Sequence, residues 1–224
     1  MDYLLKHSDR VWPRAVEHLQ LVGLALGFAL LIALPLGWLI SRVRVLTTPV
    51  LGVLGVIYTI PSLALFVLLI PFSGLGTQTA LIGLVAYAQL ALVRNTAIAF
   101  TELDPAVLEA ARGMGMTARQ QWWQVELPLA LPVILTGVRI ATLSLISLAT
   151  VAAWIGAGGL GQILLNGVSQ DNPPVVIAGV ICVTAMALAA DGLLRGLEWL
   201  VRNGPRRSPG TVIVPSDGAV PEHV

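Results

Sequence analysis

Residues 19–40, LQLVGLALGFALLIALPLGWLI, form an apolar run of 22 residues that contains no charged side chain. A helix needs about 20 such residues to cross the hydrocarbon core of a bilayer. The composition agrees, because 56% of the 224 residues are hydrophobic and only 11% are charged, whereas an average soluble domain has about 25% charged residues. The sequence therefore predicts an integral membrane protein whose first transmembrane helix is this run.

Charged residues and turn residues delimit four more spans. Residues 45–93 carry no charge and are long enough for two spans, which the small and polar residues 72–78 separate. A fourth span is expected over about 128–154, and a fifth begins near 174 and fades before 202. These runs predict an all-α integral membrane fold with about five transmembrane helices.

The spans divide the chain into three parts. Residues 1–18 form an N-terminal segment, and residues 19–202 form a single transmembrane domain that includes a polar central loop, 102–127. Residues 203–224 are too polar and rich in proline to pack, so we expect this tail to be disordered.

Lys and Arg residues beside the spans predict how the chain crosses the membrane. One side has the basic residues of the first loop, the central loop and the C-terminal end, which are Arg42, Arg44, Arg112, Arg119, Arg195, Arg202, Arg206 and Arg207. The other side has Lys6, Arg10 and Arg14 and two loops without a basic residue. This asymmetry predicts that the N-terminus lies outside and that the central loop and the C-terminus are cytoplasmic.

Charge and cysteine content exclude several classes of partner. The net charge is +1 and the basic residues are spread along the chain, so no nucleic-acid partner is expected. Cys182 is the single cysteine, which excludes an internal disulfide and argues against a thiolate metal site. We predict no metal site.

The central loop continues into a polar stretch, EAARGMGMTARQQWWQVELP, residues 109–128. Asp104 followed by Pro105 suits the start of a short helix. Thr117 and Gln120 have the spacing of a capping box, which predicts the start of a second helix that runs through Trp123.

Gly113 and Gly115 separate these two predicted helices. The pair presents one apolar surface and one polar surface, which suits contact with another protein. A second interpretation is an amphipathic connector at the level of the lipid headgroups, anchored by Trp122 and Trp123.

Residues of this loop resemble a known family. Glu109-Ala110-Ala111, then three residues, Gly115, nine residues and Val125-Glu126-Leu127-Pro128 resemble the EAA signature of permease subunits in bacterial ABC importers. The stretches TIPSLAL (59–65), VRNT (93–96) and WIGAGGLG (154–161) narrow the resemblance to permeases of osmoprotectant importers, which carry glycine betaine, carnitine, choline or proline.

The resemblance implies a type I ABC importer permease in the bacterial cytoplasmic (inner) membrane. Its implied partners are a cytoplasmic ABC ATPase dimer, a second permease subunit that is identical or paralogous, an extracytoplasmic solute-binding protein and membrane lipid. The chain lacks a Gly-rich run followed by Gly-Lys-Ser/Thr. ATP and Mg are therefore expected on the partner ATPase, with no cofactor on this chain and no enzymatic activity of its own.

The EAA signature also implies which residues couple the permease to the ATPase. Glu109 would pair with a basic residue of the ATPase, and Gly115 would provide a bend. The full set carried over from the family is Glu109, Ala110, Ala111, Gly115, Val125, Leu127 and Pro128.

Pro61 interrupts the predicted second span, because proline removes a backbone hydrogen bond, and membrane helices tolerate such a break beside protein or a water-filled cavity. The residues expected to line a translocation path are Tyr58, Thr59, Pro61, Ser62, Asn95, Thr96 and Trp154, with Tyr87 as a further aromatic contact for a quaternary ammonium group. The alternative is structural: Ser and Thr often join membrane helices, and Tyr and Trp often mark the membrane interface.

Glycines follow the fourth span. Gly156, Gly158, Gly159 and Gly161 are expected to form a re-entrant segment or outer gate, and an ordinary flexible loop is the alternative. Arg94 and Arg139 are expected to snorkel to the headgroups, and Asp191 and Arg195 have the spacing of a helical ion pair.

Three other functions are alternatives to an osmoprotectant permease. A permease for methionine or another small nutrient would share the EAA loop and the glycine segment. A passive osmotic channel would not need the EAA loop. An intramembrane enzyme is not expected, because the histidines His7, His18 and His223 lie outside the predicted spans and show no pairing with a nucleophile.

Overall fold

A computed structural model describes residues 8–203, so the predicted disordered tail from residue 204 onward lies outside the described residues. Within the described part the chain forms helices and turns and no strand, which confirms the all-α prediction. The elements in order are α1 Ser8–Arg42, α2 Arg44–Thr59, α3 Ser62–Ser73, α4 Thr77–Thr101, α5 Pro105–Gly113, α6 Ala118–Gln121, a π-helix Trp122–Glu126, α7 Leu127–Ala152, a 3-10 turn Ala153–Ile155, α8 Leu160–Ser169 and α9 Pro173–Asn203.

Helix length and composition support about five spans. Four continuous helical stretches in the described residues are long and apolar enough to cross a membrane: Val11–Arg42, Thr77–Thr101, Ala118–Ile155 and Pro173–Asn203. A fifth span consists of α2 and α3 together, which meet at a bend of 99°. The first helix starts at Ser8 and not near residue 19, because the polar residues before the apolar run continue the helix.

Helix α4 lies at the centre of the fold, and thirteen of its 25 residues are buried. It packs against α1 and α7 at two glycines. A Cβ atom on Gly37 would lie 2.5 Å from Cβ of Thr96, and one on Gly137 would lie 2.6 Å from Cβ of Asn95. Membrane helices associate closely where such small residues face each other, so these glycines fix the positions of α1 and α7 on α4.

Helices α7 and α9 are joined by charged side chains. Arg139 Nε lies 3.5 Å from Asp191 Oδ1, and its Nη1 lies 3.4 Å from Glu198 Oε2. Arg139 thus has acidic partners on α9, and its position at the headgroups stays a prediction. Arg195 Nε lies 2.6 Å from Asp191 Oδ2, which confirms the predicted helical ion pair.

The bundle has two distinct ends. At the glycine end, Gly76 donates its N–H to the carbonyl of Ile155 over 2.8 Å, which joins the α3–α4 loop to the 3-10 turn. At the loop end, α1 finishes beside the π-helix that precedes α7. Of the described residues 44–59 that form α2, none is buried, so this helix lies on the outside of the bundle.

The segment after the glycines contains a helix that the sequence analysis did not predict. Helix α8 places Leu160, Ile163 and Gly167 against the fold, at helical spacing. Because these residues recur every three or four positions, the pattern favours an amphipathic helix over an ordinary flexible loop. It returns the chain to the start of α9.

Candidate functional site

The central loop has the two helix starts that its sequence predicts. Asp104 Oδ1 accepts the N–H of Ala106 over 2.9 Å at the start of α5. Thr117 and Gln120 form the capping box of α6, in which the Thr117 N–H donates to Gln120 Oε1 over 2.9 Å. Between the helices, Gly115 has a φ of +78°. That backbone conformation suits glycine, so the predicted bend is present.

Helix α5 presents part of its EAA motif to its surroundings. Glu109 and Ala110 are exposed, whereas Ala111 is buried against the fold. A small exposed side chain beside an exposed carboxylate allows close approach of another protein. The assignment of these residues to ATPase coupling stays a prediction.

The second helix of the loop does not end at Trp123, contrary to the expectation of a separate short helix. It continues as the π-helix Trp122–Glu126 directly into α7. Val125 and Leu127 are half-buried, and Pro128 lies in the first turn of α7. The loop and the fourth span are therefore one continuous piece of helix with a wide turn in it.

A buried carboxylate holds this wide turn. Glu126 is 5% exposed, and it accepts hydrogen bonds from Arg42 Nη2, at the end of α1, and from Gln121 Nε2 over 3.2 Å. A buried charge requires such partners. Sequence analysis assigned Arg42 only to the membrane orientation and Glu126 only to the EAA spacing. The feature of the sequence that could have indicated this contact is Glu126 itself, a single carboxylate at the start of an apolar span.

Aromatic rings pack on the same turn. Trp122 stacks on Phe100 at the end of α4, with ring centroids 5.0 Å apart. It also meets Trp38 of α1 edge-on at 5.6 Å. These geometries are the favourable ones for aromatic pairs. Trp122 thus joins three helices, while its neighbour Trp123 is 59% exposed.

A polar cavity of about 440 Å³ lies at the bend between α2 and α3. It is lined by Tyr58, Thr59, Ile60, Pro61, Ser62, Tyr87, Ser144, Ser147 and Leu148. Four residues predicted for the translocation path, Tyr58, Thr59, Pro61 and Ser62, are therefore brought together. Ser144 and Ser147 were not singled out in the sequence, although their spacing places two hydroxyls on one face of an apolar helix.

Tyr87 stabilises the break in the second span. Its hydroxyl donates a hydrogen bond to the carbonyl of Ile60, which the interruption at Pro61 leaves without a helical partner. An unpaired carbonyl is costly inside a membrane. The Tyr87 ring also meets Tyr58 edge-on, with centroids 5.9 Å apart, so two aromatic rings border the cavity.

Three residues predicted for the same path lie elsewhere. Asn95 donates from Nδ2 to the carbonyl of Ala91 over 2.8 Å and packs against Gly137. Thr96 is buried against Gly37. Trp154 is exposed on the 3-10 turn. Their part in a translocation path stays a prediction, because none of the three lines the cavity at Pro61.

The glycine turn, defined as residues 156–159, uses backbone conformations that other residues rarely adopt. Gly156, Gly158 and Gly159 have φ values of +83°, +76° and +69°. Gly161 is needed for a different reason, since a Cβ atom there would lie 2.3 Å from the carbonyl oxygen of Thr150. The four glycines predicted for an outer gate thus form a tight turn and the start of α8.

The first helix holds this turn. Glu17 Oε2 accepts the N–H of Gly159 over 3.1 Å and pairs with Arg14 Nη1 at 2.8 Å. His18 is fully buried beside the turn, and its Nε2 lies 3.1 Å from the carbonyl oxygen of Ile146. The contacts of Glu17 with Gly159 and of His18 with Ile146 join residues far apart in the chain, so no sequence pattern indicates them.

Together these features define a class of protein: a multi-pass helical membrane protein with a polar cavity at a broken span and an exposed helical loop joined firmly to the other spans. Comparison with known families identifies the family. Residues 26–203 match the family described as "Binding-protein-dependent transport system inner membrane component". The chain belongs to this family.

Individual proteins that are similar to the chain support the same family. The chain is 44% identical over 201 residues to the "Osmoprotectant import permease protein OsmW" of Salmonella typhimurium, covering 88% of this chain and 94% of that protein. It is 39% identical over 183 residues to the "Carnitine transport permease protein OpuCB" of Listeria monocytogenes, covering 82% and 84% of the two chains. The family resemblance predicted from the sequence is confirmed.

A solved structure has the same fold. A chain of the MetNI methionine ABC transporter in an inward-facing conformation superimposes with a TM-score of 0.69 at 28% identity, covering 84% of this chain and 96% of that chain. The prediction of an ABC importer permease fold is thereby confirmed.

Proposed function

We propose that this chain is the permease subunit of an ATP-driven importer and forms the translocation path for a compatible solute. The solute is a quaternary ammonium compound such as glycine betaine, carnitine or choline, or else proline, which has no quaternary ammonium group. The observation that carries the proposal is the 44% identity to an osmoprotectant import permease over nearly the whole of both chains. A second named relative is a carnitine permease.

The cavity at Pro61 supports the choice of solute class. Aromatic ring faces attract quaternary ammonium groups, and Tyr58 and Tyr87 border the cavity. Hydroxyls of Ser62 and Ser147, which also line the cavity, can donate to a carboxylate. The nine described residues that line the cavity include no charged side chain, which suits passage of a solute that must be released again.

The exposed part of α5 supports an ATPase partner. Glu109 and Ala110 are exposed, and the loop is joined both to α7 and, through Glu126 and Arg42, to α1, so a force applied there reaches the spans. In this proposal ATP and Mg bind to a cytoplasmic ATPase dimer. A second permease subunit covers the exposed helices, and a solute-binding protein delivers solute at the glycine end.

The separation of the two ends of the bundle supports the proposed orientation. Arg42 and the central loop share one end, and Arg112 and Arg119 of that loop are exposed there. Basic residues favour the cytoplasmic side. The N-terminus and the glycine turn then lie outside, and the C-terminus lies in the cytoplasm.

A methionine importer is the second candidate, favoured by the structural likeness to a methionine transporter. The identity to that chain is 28%, compared with 44% to the osmoprotectant permease. The fold is common to both classes, so the higher identity favours the osmoprotectant.

Uptake into liposomes tests the proposal. The chain is reconstituted with its ATPase and binding protein, and accumulation of radiolabelled glycine betaine, choline, proline and methionine is measured with and without enclosed ATP. ATP-dependent accumulation of a quaternary ammonium is expected. Accumulation of methionine alone would transfer the proposal to the second candidate, and ATP-independent leakage of all four would indicate a passive channel.

A charge reversal at Glu109 tests the coupling surface. Glu109→Lys places a like charge at a contact expected to be basic, so copurification of the ATPase and ATP-driven uptake should both fall. The matched control is Glu102→Lys, which reverses a charge on an exposed residue of the same loop outside α5. Equal copurification of the ATPase with both variants would remove Glu109 from the coupling surface.

A further inference from the structure

Helix α7 connects the central loop to the glycine turn, and it has an irregular segment at each end. The π-helix Trp122–Glu126 precedes it, and the 3-10 turn Ala153–Ile155 followed by the glycine turn ends it. Both kinds of segment interrupt the regular hydrogen bonding that makes a helix stiff. A movement of the loop would therefore be weakened at these two joints if α7 acted alone.

Helix α1 makes a polar contact across each joint. At the loop end, Arg42 donates to the buried carboxylate of Glu126, the last residue of the π-helix. At the glycine end, Glu17 Oε2 accepts the N–H of Gly159 over 3.1 Å. The two contacts lie 25 residues apart on one continuous helix, Ser8–Arg42, which has Pro35 between them.

The lengths of the two helices match. Glu17 and Arg42 are 25 residues apart on α1, which corresponds to about 37 Å at 1.5 Å per residue. The 26 residues of α7 correspond to about 39 Å. Helix α1 thus reaches from one joint of α7 to the other.

Contacts between the two ends keep α1 in place. Gln89 Nε2 of α4 donates to the Ala29 carbonyl over 3.3 Å, and Gly37 meets Thr96. His18 packs beside the glycine turn and contacts the carbonyl of Ile146 on α7. These contacts make α1 part of the same packed unit as α4 and α7.

We propose that α1 is a brace that spans both joints of α7, so that movement of the central loop reaches the glycine turn as a rigid-body motion. Arg42 and Glu17 are its positioning residues. Rigid elements with defined contacts at both ends carry coupling between distant sites. The proposal rests on the proposed function, because the movement is supplied by the ATPase.

The test compares variants at the two contacts in the complete transport complex. All variants are made in a background that carries Cys182→Ala and Ala157→Cys, so that its cysteine lies in the glycine turn. A membrane-impermeant maleimide added from outside labels this cysteine, and the labelling is measured with and without ATP. Solute transported per ATP hydrolysed is measured in parallel. Arg42→Gln removes the ion pair with Glu126, and Glu17→Ala removes the contact with Gly159 together with the pair with Arg14. The control variants are Arg44→Gln and Asp9→Ala, at exposed residues without an ion pair in the described residues.

The brace variants, Arg42→Gln and Glu17→Ala, are expected to hydrolyse ATP. Their ATP-dependent change in labelling should fall by about fivefold or more, because fivefold is the lower end of the usual coupling between distant sites. Solute transported per ATP should fall with it. The exchanged pair Arg42→Glu with Glu126→Arg restores the contact and should recover both quantities, which also separates loss of coupling from loss of folding.

Brace variants that keep the labelling change and the transport ratio of the control variants would overturn the proposal, as would an exchanged pair that folds and hydrolyses ATP but recovers neither quantity. Failure of the background complex to accumulate any solute with ATP would instead count against the proposed function.

Discussion

The two interruptions of the transmembrane helices are built in opposite ways. At Trp122–Glu126 the helix widens but continues, Arg42 pairs with Glu126, and Trp122 packs on Phe100 and Trp38 beside an apolar cavity of about 430 Å³. At Ile60–Pro61 the helix stops and turns by 99°, and the cavity beside it carries hydroxyl groups. We call the first interruption closed, because the helix continues and side-chain contacts hold it, and the second open, because the helix stops there.

The difference indicates separate roles for the two sites. A closed interruption holds its neighbours in fixed positions, which suits the transmission of movement. An open interruption presents backbone and hydroxyl groups to whatever enters the cavity, which suits transient contact with a solute. Substitutions at the closed site should therefore reduce stability most, and those at the open site should mainly alter transport.

The largest effect on stability is expected at Trp122. Trp122→Ala removes a ring that contacts α1 and α4, and the unfolding free energy should fall by about 3 kcal/mol, in the lower part of the range for aromatic truncation because the residue is half-buried. Trp123→Ala is the matched control, since that neighbouring ring is mostly exposed. Unfolding of both variants in the same detergent gives the measurement, and similar losses would contradict a closed junction.

A smaller effect is expected at Tyr87. Tyr87→Phe leaves the Ile60 carbonyl without its donor and should lower the unfolding free energy by about 1 kcal/mol, the usual value for one hydrogen bond. Tyr58→Phe is the control, because the Tyr58 hydroxyl makes no hydrogen bond to a described residue. If the two variants unfold alike, the bend does not depend on this hydrogen bond.

The smallest effect on stability is expected at Ser147, which is exposed in the cavity. Ser147→Ala should change the unfolding free energy by less than about 0.5 kcal/mol, while KM for uptake rises because a hydroxyl that contacts solute is lost. Ser169→Ala, at an exposed residue at the end of α8, is the control and should leave KM unchanged. An unchanged KM in Ser147→Ala would argue that solute does not pass this cavity.

Much of the fold could be predicted because it depends on local patterns. Apolar runs of membrane length located the spans, and the caps at Asp104 and Thr117 located the helices of the loop. The interruption at Pro61 was predictable too, since proline lacks the N–H that a continuous helix requires. The EAA spacing then identified the family from residues within one loop.

The features that could not be predicted are contacts between residues far apart in the chain. Arg42 and Glu126 are 84 residues apart, and Glu17 and Gly159 are 142 apart, so no sequence period indicates either pair. Asn95 and Thr96 resembled pore residues because they are polar in an apolar helix. The structure uses both at helix crossings, against Gly137 and Gly37, and only the packing of three helices reveals that.

The bend at Pro61 constrains the order in which the protein is assembled during synthesis. Helices α2 and α3 contain 16 and 12 residues, about 24 Å and 18 Å, and each is shorter than the bilayer core of about 30 Å. The hydroxyl that satisfies the exposed carbonyl of Ile60 belongs to Tyr87, 27 residues further along the chain. The second span can therefore complete this hydrogen bond only after α4 has entered the membrane.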